Sequence, residues 1–313
     1  MIRFILNRLA MAIVTLFTAA LLTFIIVHLM PGTPGEIALG ASGSPETIRA
    51  FDESIGWYDP LPIQFFDWIR MLVSGSLGIS YIDGRDLSIE IMTRIQVTTF
   101  LSLAAVFFVA LMGIVAGVTA AVRGGLLDRV INSVVAFFIA VPPFWFAIFL
   151  IFVFAVLNPF LPASGYIEPV DDPWGWASSL ILPVAALAVH GAAAVARITR
   201  SAMLDAIGQE HIRTLRSLGM PSGRIVYLHA LRFASIQIVS ILGLQFVLTF
   251  GGTITVEMLF QLPGLGTGMQ RAIGMHDVPA IQATVIVTTV VVVVTMFITE
   301  LATRFLNPKA RTA

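Results

Sequence analysis

Residues 197–232 read RITRSAMLDAIGQEHIRTLRSLGMPSGRIVYLHALR, a stretch holding Arg197, Arg200, Arg213, Arg216, Arg224 and Arg232. On either side lie two runs, 177–196 and 233–256, without a single Asp, Glu, Lys or Arg. Each reaches the roughly 20 residues that a helix needs to cross a bilayer. The basic stretch is therefore a loop joining two membrane spans. Working outward, four more uncharged runs of that length occur at 9–30, 95–122, 130–157 and 278–299. The last is rich in Val and Thr, yet an open strand in lipid would leave backbone groups unpaired, so helix is expected there as well. The reading is an all-α membrane protein with six transmembrane helices. Composition agrees, since 58% of the 313 residues are hydrophobic and only 12% are charged, against about 25% charged in an average soluble domain.

Charge sets the orientation. With the N-terminus in the cytoplasm, the inner segments 1–8, 123–129, 197–232 and 300–313 hold thirteen of the 18 basic residues. The outer segments hold the other five, Arg49, Arg70, Arg85, Arg94 and Arg271, beside most of the acids. The positive-inside rule then places both termini in the cytoplasm. Arg3 and Arg8 before the first span also resemble a secretory signal, but its apolar core exceeds the usual 7–15 residues, which favours an uncleaved anchor. The chain divides into a first span (1–30), an extracytoplasmic segment (31–94), a five-helix core (95–305) containing the loop 197–232, and a cytoplasmic tail (306–313). The outer segment is long enough to fold as a small external domain. The outer loop 158–176, with four prolines and two tryptophans, suits a rigid cap at the interface.

Within the basic loop, Leu204, Ile207, His211 or Ile212, Leu215 and Leu218 recur at steps of three and four, the spacing of one helical face. Gly219 and Pro221 then supply a helix stop. An apolar stripe needs cover. At about 1.5–3 kcal/mol per buried Leu or Ile, three or four such side chains could dock on another protein. The same pattern suits a helix lying on the membrane surface with its arginines towards anionic lipid. Periodicity leaves both readings open.

The run Gln209-Glu210-His211-Ile212-Arg213-Thr214-Leu215-Arg216-Ser217-Leu218-Gly219, followed by Arg224 and His229-Ala230-Leu231-Arg232, resembles the EAA loop of ABC-importer permeases, in the form found in dipeptide and oligopeptide importers. Three positions depart from that family's usual residues: Leu215 for a small Ala, Leu218 for Lys, and Gln237 for Pro. The likeness extends along the chain. Met30-Pro31-Gly32-Thr33-Pro34 is similar to the family's exit from its first span, with Thr33 in place of Asp. Gly75-Ser76-Leu77-Gly78-Ile79-Ser80, Leu161-Pro162-Ala163-Ser164-Gly165, Gly251-Gly252 through Glu257, Phe260 with Pro263-Gly264-Leu265-Gly266, and Asn307-Pro308-Lys309-Ala310-Arg311 follow in the family's order. The resemblance implies a type I importer permease fold in a bacterial plasma membrane, with residues 209–219 as a coupling helix seated on a separate ATPase. It also implies a second homologous permease, two cytoplasmic ATPase subunits or domains that bind ATP and Mg, and an extracytoplasmic solute-binding protein. Peptides come first as substrates, with glutathione-like compounds or nickel chelates among the relatives. The lipid bilayer is a further partner, and nucleic acid is not expected.

No motor chemistry is encoded in the chain itself. A P-loop needs a Gly-rich turn ending in Lys and Ser or Thr, and the only lysine is Lys309, in the tail. Intramembrane hydrolysis would need a constellation such as Ser164 with His190, which no spacing signals; His190 reads as a packed, hydrogen-bonded residue. His28 and His276 have no partner at ligand spacing. No catalytic, cofactor-binding or metal residue is assigned. The rival reading is an ion-coupled carrier or a channel subunit. Carriers usually bury carboxylates in their spans, whereas the six runs contain none. Glu257, just past the fifth run, reads as an outer-interface group that is solvated or paired with Arg271. Gly113, Ala116, Gly117, Gly243, Gly251 and Gly252 permit close helix approach, and Pro142-Pro143 and Pro183 are expected bends.

Overall fold

A computed structural model describes residues 2–306. The tail motif at 307–311 lies outside them. The described chain is helical: α1 (Ile2–His28), α2 (Pro34–Leu39), α3 (Pro45–Ser54), α4 (Leu61–Val73), α5 (Leu87–Arg123), α6 (Gly125–Ala140), α7 (Pro143–Ile151, extended by a π-helical stretch Phe152–Leu157), α8 (Pro173–Ile207), α9 (Glu210–Ser217), α10 (Ser222–Arg224, extended by a π-helical stretch Ile225–Ala230), α11 (Leu231–Phe260), α12 (Leu265–Gly274) and α13 (Val278–Leu306). Five helices are long and apolar enough to cross a membrane, and the bent pair Gly125–Ala140 with Pro143–Leu157 makes a sixth if its two halves are counted as one span. The Val- and Thr-rich final run is helical, as expected.

The bend expected at Pro142-Pro143 is present and sharp: Gly125–Ala140 and Pro143–Leu157 meet at 96°. Val141 and Pro142 adopt extended backbone, ψ 124° and 133°, and Pro143 opens the next helix. Each proline denies an N–H to the preceding turn and pushes the residue before it out of the helical region, so two in succession stop the helix. A single internal proline does less. Helix α8 runs on through Pro183.

Contacts divide the chain into two compact units, one containing residues up to Val97 with Pro263–Val294, the other Thr98–Leu262 with Thr295 onward. In the first, the segment after α1 folds against the end of that helix. Ala20, Phe24, Phe65 and Trp68 form one apolar cluster, and Val27, Ala272, Val278 and Ile281 another. Helix α2 starts with a capping box: Thr33 Oγ1 accepts from Glu36 N at 3.2 Å, and Thr33 N donates to Glu36 Oε2 at 3.0 Å. A hydroxyl here performs the capping that a carboxylate would, which accounts for Thr33 at that position. Asp52 is fully buried, and Gly35 N donates to its Oδ1 at 2.7 Å.

The second unit is organised around α8, whose membrane-spanning window is 72% buried by the chain's own residues. Small residues bring backbones together: a Cβ on Gly117 would lie 2.6 Å from Ala196 O, and one on Gly113 would lie 2.7 Å from Val195 Cβ. Without large side chains between them, α5 and α8 gain van der Waals contact that lipid cannot replace. Towards the basic loop, Val118, Ala202, Met203, Ala206, Val226, Ala230, Ala234 and Ile238 close a core joining α5, α8 and α11.

Candidate functional site

The basic loop leaves α8 at Ile207 and turns before α9. Gly208 caps α8, and Gln209, at φ −66° and ψ 146°, is the extended N-cap of α9, its carbonyl accepting from Ile212 N at 3.1 Å. Leu204 and Ile207 thus belong to one helix and Ile212 and Leu215 to another, so the single stripe expected from 204 to 218 is two. Glycine is a poor helix former, and the break falls at that residue. Helix α9 packs on the π-helical stretch Ile225–Ala230, where Ile225, Val226 and Ala230 are buried. Ile212 is its one fully buried side chain, and Leu215 is partly buried.

The remaining positions point outward. Gln209, Glu210, His211, Arg213, Thr214, Arg216, Ser217, Leu218 and Gly219 are exposed, Leu218 at 76%. Leu218 was expected to share the covered stripe; it lies at the C-cap, past the last helical turn, on the open side. His211 retains a ring contact with Phe233 at 6.1 Å. The stop has definite geometry. Gly219 N donates to Arg216 O at 3.0 Å and Met220 N to Leu215 O at 3.1 Å, the paired bonds of a Schellman motif, with Gly219 at φ +77°. A side chain in that region costs about 1–2 kcal/mol, which glycine avoids. The segment is a short, rigidly ended helix, held from beneath by Ile212 and offering a mixed surface of two arginines, one glutamate and one leucine.

Other expected groups separate cleanly. His190 Nδ1 lies 3.2 Å from Phe138 O, the packed histidine anticipated. His28 stacks on Trp57 at 4.7 Å and bonds Gln64. Among the described residues no cluster of three or more His, Asp or Glu could hold a metal. Glu257 differs from expectation: it is fully buried rather than solvated, and Thr98 Oγ1 donates to its Oε1 at 2.7 Å. Arg271 instead reaches Asp83 at 3.5 Å. That aspartate belongs to a polar network that the sequence did not signal. Arg85 holds the Asp83 carboxyl down to about 2 by hydrogen bonding. Arg94 pairs with Glu90 at 2.8 Å and donates to Gly264 O. Burial pushes the nearby Asp277 carboxyl upward, against the bond it accepts from Ser80.

Comparison with known proteins gives this architecture a class. Residues 112–312 match the family described as binding-protein-dependent transport system inner membrane component, and residues 1–104 match the N-terminal part of such membrane components. The chain belongs to this family: it is a permease subunit of a binding-protein-dependent ABC importer of the inner membrane, which by kind works with an ATPase and a solute-binding protein. It is 36% identical over 283 residues to a putative peptide transport system permease protein of Brucella abortus (strain 2308), covering 90% of each chain. It is 33% identical to a di/tripeptide transport system permease protein of Pseudomonas aeruginosa (strain UCBPP-PA14) and 32% identical to a glutathione transport system permease protein of Shigella flexneri serotype 5b (strain 8401), covering 99% of both chains in each case. The fold is also that of the MetNI methionine ABC transporter in an inward-facing crystal form, with a TM-score of 0.58 at 18% identity over 69% of this chain and 96% of the other.

Proposed function

We propose that this permease forms half of a pathway for peptides or peptide-like small solutes and that residues 209–219 are its coupling segment. The substrate class rests on the named activities of relatives similar along nearly the whole chain. The observation that carries the coupling role is α9 itself: Ile212 is fully buried against the chain while the faces around it lie open, closed by a Gly219 stop. A partner that grips Arg213, Arg216 and Leu218 would move α9, and with it the π-helical stretch leading into α11. Two ATPase subunits or domains supply ATP and Mg chemistry in this reading, and a second homologous permease completes the pathway. The external segment 31–94 and the core 95–305 are the two functional parts, with the outer segment facing the solute-binding protein.

The test is Gly219→Pro in the complete reconstituted complex. Proline cannot adopt φ +77° and lacks the N–H that bonds Arg216 O, so both features of the stop are lost. Uptake is expected to fall while the complex still assembles and hydrolyses ATP. Unchanged uptake with unchanged stimulation of ATP hydrolysis by the loaded solute-binding protein overturns the coupling assignment. Peptide uptake by the permease alone, without ATP or partners, overturns the importer mechanism for this chain.

A further inference from the structure

The cytoplasmic end of α8 carries a side-chain link that the coupling reading does not use. Arg200 Nε donates to Asp128 Oδ1 at 2.6 Å and Arg200 Nη2 to Asp128 Oδ2 at 2.7 Å, a bidentate pair. Asn132 Nδ2, one turn further along α6, donates to the same Oδ1 at 2.6 Å and so fixes the carboxylate from the other side. The two charged side chains are 32% and 19% exposed, so two-bond planar geometry and the Asn132 bond, rather than deep burial, hold the pair. Arg200 stands about two turns before α8 ends at Ile207, directly upstream of α9.

We infer that Arg200 and Asp128 are positioning residues that transmit displacement of the coupling segment to the bent span α6–α7. The rest of the α6–α8 contact is made of small and apolar groups: Val135, Ala193 and Ala196, with Ile131, Phe138 and Ile139 packed against them. Such surfaces resist separation but allow one helix to slip along another, whereas a two-bond planar pair fixes both direction and register. The remaining polar tie, His190 to Phe138 O, lies far along both helices from α9. Displacement entering α8 from α9 therefore reaches α6 first at Asp128, and the 96° bend at Pro142-Pro143 redirects it into α7. Truncating either partner leaves α8 and α6 packed but free to slip.

This inference rests on residues 209–219 being the coupling segment, and the test separates the two. Solute transported per ATP hydrolysed is measured in proteoliposomes holding the whole complex, for Asp128→Asn, Arg200→Gln and the exchange Asp128→Arg with Arg200→Asp. The single variants should assemble with their ATPase and hydrolyse ATP, yet lose at least about fivefold in solute moved per ATP, and the exchange should recover most of it. A purely structural residue would change yield and thermal stability without changing that ratio. The chain contains no cysteine. Asp128→Cys with Arg200→Cys, bridged by a short bifunctional thiol reagent, therefore supplies a covalent replacement with no competing thiol in this chain. Bridging should restore the ratio and cleaving the bridge should lower it again. Singles within about twofold of the parent ratio, an exchanged pair as poor as the singles while bridging restores nothing, or failure of every variant to assemble, overturns the inference. If the ratio is insensitive to this pair while Gly219→Pro still uncouples, only the link is lost; if Gly219→Pro also couples normally, the reading of 209–219 fails with it.

Discussion

Replacing Gly219 by alanine isolates one backbone angle. At φ +77° the residue is left-handed, and a Cβ placed there meets no atom within 4 Å, so steric crowding by neighbours contributes nothing. What remains is the intrinsic cost of that conformation for a residue with a side chain, about 1–2 kcal/mol. The penalty falls on the two bonds that close α9, Gly219 N to Arg216 O and Met220 N to Leu215 O. Opening of the turn should become about five- to thirtyfold more frequent, the factor corresponding to that energy. Hydrogen–deuterium exchange in peptides covering 215–220 reads this directly, with exchange in α8 as an internal control. Asparagine tolerates the left-handed region better, so Gly219→Asn should exchange more slowly than Gly219→Ala. Equal protection in parent and Gly219→Ala, or greater damage from asparagine than from alanine, would refute the argument that backbone conformation fixes this end of the helix.

Ile212→Ala removes the only fully buried side chain of α9 and should cost about 2–5 kcal/mol of its docking, exposing 210–217 to exchange, whereas Ile212→Leu should cost under about 1.5 kcal/mol. Gly117→Val should drive α5 away from α8, because even its Cβ would lie 2.6 Å from Ala196 O; a lower thermal midpoint is expected, while Gly223→Ala, with open space around it, serves as the neutral control. Asp83 is held at about 2, below its ordinary 3.8, so its contribution to the outer segment is fully present above pH 3.8 and disappears as pH falls through 2. Asp83→Asn should flatten exchange protection of residues 78–94 across that window; a parent and variant with the same acid response would remove this role for the pair with Arg85.

Five of the spans, the capped stop at Gly219 and the packed His190 were legible because each depends on local sequence: run length, a glycine near a proline, and a histidine among small residues. Three features were not. The apolar steps from Leu204 to Leu218 keep helical spacing across Gly208, yet Leu204 and Leu218 are exposed and α9 fully buries only Ile212; periodicity records neither burial nor a change of axis. The two prolines mark a bend in the uncharged run 130–157 but not its size, 96°; composition measures how apolar a segment is, not where it points. Arg200 and Asp128 are separated by 72 residues, and Glu257 and Thr98 by 159. Neither pairing leaves a mark in local spacing.

The unequal enclosure of the helices has a mechanical corollary. In α1 and α13 only 22% of the spanning window is covered by this chain, against 72% in α8. Hydrophobic mismatch acts through the surface a helix shows to its surroundings. Whatever of α1 and α13 meets lipid in the assembled importer responds to bilayer thickness, whereas α8, walled in by its own polypeptide, takes its inclination from internal packing and works as an insulated strut.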